Sequence, residues 1–161
     1  MPKEDKTRWQ KSANIYFLLY GLVIIATYGY CKKAINKLNA ITPLGEKDPI
    51  NRSILGLLIL GIICVILSVL MLFMGSSELS IYMGIVFIIS ISVVGLSVWA
   101  GKSGIWSDNT DTVKKQTIDI KNGLSVVTIM AIPAILIILE YYFDLYKCNS
   151  SSCKSRFGFE Y

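Results

Sequence analysis

Glu140 and Asp144 stand four residues apart, so on a helix both carboxylates share one face, with Lys147 three residues further on to pair with Asp144. Acids at the end of an apolar run could pass a proton or hold a cation, and Pro133, seven residues earlier, could bend the helix that carries them. A relay needs further stations, however, and the other apolar runs contain no charged residue. The 16 uncharged residues Leu124–Leu139 already bring the chain to headgroup level by Glu140, where carboxylates sit in water beside Tyr141, Tyr142 and Tyr146. The expectation is that Glu140 and Asp144 are interfacial and that Pro133 is a packing feature. All three become functional only if the protein is a small ion channel or transporter.

The chain has no histidine, which removes the commonest general base, proton shuttle and metal ligand, together with every Ser-His or Cys-His nucleophile. Gly56 and Gly61 are small residues in an apolar run, without the lysine of a phosphate loop. Asp108-Asn109-Thr110-Asp111 begins like a calcium loop, but lacks the glycine and closing glutamate at the required offsets. No catalytic, cofactor-binding or metal-ligating residue is therefore assigned, no cofactor or small-molecule substrate is expected, and the protein is read as not an enzyme. Cys148 and Cys153, separated by four residues, suit a local disulfide better than a metal site, which would need further ligands nearby.

The elements that would position these residues follow from hydropathy. Apolar residues make up 53% of the chain and its mean hydropathy is +0.56, above the ordinary globular range. Two uncharged runs, Ile54–Met74 and Leu79–Ala100, are 21 and 22 residues long, each sufficient for an α-helix to cross a hydrocarbon core of about 30 Å. Gly75-Ser76-Ser77-Glu78 joins them as a tight turn, so the two helices are antiparallel neighbours. Ala13–Cys31 and Leu124–Phe143 complete a set of four spans, placing both termini on one side. The basic flank of the first run could belong to a signal peptide, but Thr27-Tyr28-Gly29-Tyr30-Cys31 is bulky where a peptidase needs small residues, so an uncleaved signal anchor is expected.

The fold class predicted is all-α: one four-span membrane domain over residues 1–161, a bundle of spans near 13–31, 54–74, 79–100 and 124–143 with amphipathic extensions and a polar tail at 147–161. Ala34, Ile35, Leu38 and Ile41 recur at helical spacing, so the first span can run on for two turns until Pro43. Val113, Thr117, Ile120 and Leu124 describe a similar lead-in to the fourth span, beginning near the N-cap candidates of 107–111. Tyr16, Phe17, Tyr20, Tyr28 and Tyr30 read as aromatic belts at the ends of the first span. Ser90, Ser97 and Gly101 form a stripe of small residues expected to meet another helix.

The formal charge of +5 lies in tails and loops, where lysines attract anionic lipid, and no basic stripe interleaved with aromatics points to nucleic acid. Loops one and three carry five and four cations and the two tails four and three, while loop two carries none. The positive-inside rule then places loops one and three toward the cytoplasm or its equivalent, with Cys148 and Cys153 in a compartment that permits disulfides. In the tail, Phe157, Phe159 and Tyr161 alternate with small or charged residues, a period of two that suits an extended segment binding a partner protein. The partners expected are the bilayer and other subunits of a larger assembly, contacted by loops and tail. Isoleucine outnumbers leucine, 24 to 18, and lysine outnumbers arginine, 13 to 3, as AT-rich codon usage produces. A structural subunit that anchors or scaffolds such an assembly fits best: the internal membrane and capsid of a large DNA virus particle, or else an organellar respiratory complex.

Overall fold

The computed structural model describes residues 3–45, 47–73, 79–108 and 110–149, with side chains from Gln10 to Tyr146. Four long helices account for nearly all of them: α1 (Lys3–Asn39), α2 (Pro49–Phe73), α3 (Leu79–Ala100) and α4 (Asp111–Asn149), with a short 3₁₀ turn at Gly104–Ser107 before α4. No strand occurs among the described residues, and all four helices are long and apolar enough to cross a membrane. At 1.5 Å per residue, the 22 residues of α3 reach about 33 Å, whereas the 37 of α1 and 39 of α4 exceed a bilayer core by about 25 Å.

Each helix packs on two neighbours in the cyclic order α1, α2, α3, α4. The registers run antiparallel: Asn14 and Phe17 of α1 meet Ser68 and Cys64 of α2, while Tyr16 and Cys31 of α1 meet Met130 and Ile120 of α4. The result is an up-down-up-down bundle.

The buried residues explain this packing. In α1 they include Ala13, Phe17, Tyr20, Ile24, Thr27, Cys31, Ala34 and Leu38, and in α4 Val113, Thr117, Ile120, Leu124, Val127, Ala131, Ala134, Ile138 and Tyr141, with Asn14, Gly21, Ile35 and Gly123 buried beside them. Alternating steps of four and three keep one seam facing inward from Ala13 to Leu38 and from Val113 to Tyr141, the spacing of shallow left-handed crossings. Phe17 and Tyr20 are thus fully enclosed core residues and not part of an aromatic belt; their seam positions outweigh their nearness to the helix end. The extension of α1 beyond Cys31 also buries its apolar face, at Ala34, Ile35 and Leu38, against the bundle instead of laying it on a surface.

Three glycines let α1 approach its two neighbours closely. A Cβ at Gly61 would lie 3.2 Å from the Gly21 carbonyl oxygen, and one at Gly21 would lie 3.1 Å from the Val65 backbone nitrogen, so α1 and α2 cross there almost backbone to backbone. A Cβ at Gly123 would come to 2.6 Å from Cys31 Sγ, which fixes the α1–α4 spacing.

Candidate functional site

The most concentrated polar chemistry inside the bundle is a triangle built by three helices. Asn14 of α1 donates its side-chain amide to the Ser68 carbonyl at 3.0 Å, and its Oδ1 accepts from the Tyr82 hydroxyl at 2.9 Å. Ser68 Oγ lies 3.1 Å from the same hydroxyl. All three side chains are buried. The Tyr82 ring meets Phe17 edge-on at 5.8 Å, and one turn along α2 Cys64 Sγ reaches the Phe17 carbonyl at 3.4 Å. Buried polar groups are tolerated when they satisfy one another, and here the Asn14 and Tyr82 side chains each have two partners in the cluster, while Ser68 contributes its hydroxyl to Tyr82 and its carbonyl to Asn14. The arrangement consists of neutral donors and acceptors, suited to fixing helix register.

Two further tyrosines tie α4 to its neighbours. Tyr16 donates to the Met130 carbonyl at 2.8 Å, and Tyr142 donates to the Ser80 carbonyl at 2.8 Å. Pro133 has no N–H for the carbonyl of residue 129, and the Tyr16 bond falls on the next carbonyl along, at Met130. Pro133 itself faces outward. In the middle of the core the Tyr20 hydroxyl approaches Ser90 without completing a hydrogen bond, while Ser90 Oγ donates to Val86 O of its own helix at 2.9 Å.

Of the residues singled out for their chemistry, Glu140 is exposed and Asp144 half-buried, with Asp144 Oδ2 enclosed and without a partner among the described residues. The stripe on α3 divides. Ser90 turns into the core, whereas Ser97 and Gly101 line an α3–α4 groove of about 700 Å³ together with Trp106, Thr117 and Lys121. The Cys148 side chain, Cys153, Phe157, Phe159 and Tyr161 lie outside the described residues, as does the turn at 75–78. Among the described residues no three Cys, Asp or Glu side chains gather closely enough to hold a metal ion.

The loop-one and loop-three end is tied by short-range bonds. Asp48 caps α2 by accepting from the Ile50 N–H at 2.8 Å, and its second oxygen accepts from Ser103 Oγ at 2.8 Å, joining the two loops. Trp106 Nε1 donates to the Ala100 carbonyl at 2.9 Å, closing the end of α3, and Asn39 accepts from the Leu44 N–H at 2.9 Å. Before α4, Asp108 accepts from the Thr110 hydroxyl at 2.7 Å and the Thr110 N–H at 3.0 Å. These bonds, the side-chain one foremost, hold its carboxyl below the usual range.

Sequence reasoning did not find the triangle. Asn14 falls inside the first uncharged run, Ala13–Cys31, and like Ser68 and Tyr82 it carries no charge to single it out there. The available signal was their placement: all three lie near the end of the bundle shared by the start of α1, the end of α2 and the start of α3. No protein-family model, curated protein or solved structure matches the chain.

Proposed function

We propose that the protein is a multi-pass integral membrane protein with a structural role, a subunit that anchors a larger membrane-associated assembly. The observation that carries this reading is the filled interior. Phe17, Tyr20, Ile24, Leu57, Met83 and Ile138 are fully buried along the seam, and among the described residues no charged side chain joins them. Large apolar side chains such as Ile59, Ile66, Ile88, Ile129 and Leu136 face outward instead, more than half exposed. Water would drive such a surface to aggregate, whereas lipid tails solvate it. The parts of α1 and α4 that outlast a bilayer, with the loops and the tail at 147–161, offer partner subunits a polar surface. A virion inner membrane or an organellar membrane remains the proposed setting.

Gentle extraction followed by mass spectrometry of the co-purifying proteins tests the role. The full chain is expected to bring down a fixed set of partners, and deletion of Ser155–Tyr161 to release them while leaving insertion unchanged. Recovery of the chain alone from every mild detergent contradicts an anchoring subunit.

The enclosed Asp144 oxygen favours a second reading, a small ion channel or transporter. In proteoliposomes the structural role predicts no ion or proton flux. A flux that disappears in the Glu140→Gln, Asp144→Asn double variant establishes the channel instead.

A further inference from the structure

Beyond Cys31 the outer face of α1 meets the start of α2 in two adjoining depressions. One, of about 340 Å³, is lined by Tyr28, Lys32, Asn39, Leu44, Asn51 and Arg52, among others. Its neighbour, of about 590 Å³, shares Tyr28 and Lys32 and adds Lys33 and Lys37. Lys32 of α1 and Arg52 of α2 therefore line the first depression, Lys33 and Lys37 extend the positive surface along α1, and among the described residues no carboxylate lines either depression. Asp48, the nearest acid in the described part of loop one, already has both oxygens engaged, by Ile50 N–H and Ser103 Oγ. Below the cations the wall turns apolar at Ile54 and Leu55, where the uncharged run of α2 begins and continues down the outside of the bundle.

Uncompensated positive charge over an apolar wall, at the level where a membrane helix leaves the hydrocarbon, complements an anion that carries acyl chains. Arginine offers a planar fork that fits phosphate oxygens, and lysine offers a point charge. We propose that the α1–α2 depression is a specific site for one anionic phospholipid, with Lys32 and Arg52 on its phosphate and an acyl chain against Leu55. The site does not depend on the anchoring role, because a channel could carry it equally.

The test uses the full chain in nanodiscs of phosphatidylcholine doped with phosphatidylglycerol, with retained lipid read by native mass spectrometry. The wild type should retain one phosphatidylglycerol in preference to phosphatidylcholine. The pair Lys32→Gln, Arg52→Gln should lower that retention about tenfold or more, and the charge-matched pair Lys114→Gln, Lys121→Gln at the same end by less than about twofold. Equal losses from the two pairs would make the attraction diffuse and overturn the site, as would equal retention of phosphatidylcholine. Displacement of the lipid by inorganic phosphate or an acidic peptide would reassign the site to a soluble anion and also overturn the proposal. Should the first pair fail to fold, Lys32→Gln alone reads the same site on an exposed side chain, and undiminished retention there refutes it.

Discussion

The two ends of the bundle hold the same four helices together by different means. Where α1 begins and α2 finishes, the ties run between helices through the Asn14–Ser68–Tyr82 triangle and the bonds from Tyr16 and Tyr142. At the opposite end most ties run along the chain: Asp48 to Ile50, Asn39 to Leu44, Trp106 to Ala100, with Ser103 to Asp48 bridging the loops and Tyr30 to Asp119 bridging α1 and α4. In the proposed membrane setting the difference follows from surroundings. In an apolar medium a polar side chain gains most by finding another helix, while a loop in water can satisfy its backbone locally and leave its cations free. One end is therefore suited to setting register, and the other to presenting a surface.

This contrast breaks first at Gly123, which lies toward the loop end but belongs to the helix seam. If the seam holds that end and the caps only finish it, Gly123→Leu should force α1 from α4, because its Cβ alone would come to 2.6 Å from Cys31 Sγ. A loss of about 3 kcal/mol is expected, read by unfolding titration in mild detergent with tryptophan fluorescence. A loss under about 1 kcal/mol would mean that the caps, not the seam, hold this end.

At the other end, Asn14→Ala should cost about 1 to 2 kcal/mol, since it removes one side chain from two hydrogen bonds in the core. Tyr82→Phe removes the shared hydroxyl. A double-mutant cycle of the pair should give a coupling of about 1 kcal/mol, and simple additivity would show that the triangle is not a unit. Smaller again is Asp48→Ala, at about 1 kcal/mol, because Pro49 remains preset for the first helical position and water can replace the carboxylate.

The same contrast explains what could be read from the sequence. Helix number and approximate extent were legible because charge is absent from Ile54–Met74 and Leu79–Ala100 and turn residues interrupt the runs. Seams beyond the apolar runs were legible too: Val113, Thr117, Ile120 and Leu124 stand out among lysines and are buried as their spacing predicts. Within the runs the inward face was hidden, since lipid and core both select apolar residues. Ile24 is buried and Leu22 exposed, with nothing in their chemistry to tell them apart. The triangle was hidden for another reason, as three neutral residues from three helices have no spacing in sequence until the helices are in register.

The smallest effect sharpens the comparison by pH. Asp108 is half-buried, and its carboxylate accepts from the Thr110 hydroxyl and N–H just before α4, which lowers its pKa in the folded chain. A depressed folded pKa contributes stability that is present above the unfolded value, about 3.9, and is lost as pH falls through the folded value. The first turn of α4 should therefore exchange its amide hydrogens faster as the medium is acidified below about pH 4, after correction for intrinsic rates. In Asp108→Asn the side chain can still accept a hydrogen bond but no longer titrates there, so this pH dependence should vanish. The Asn14–Ser68–Tyr82 triangle contains no carboxylate, and amides around it should keep their protection over the same range. Acid-sensitive exchange at both ends would break the contrast between them.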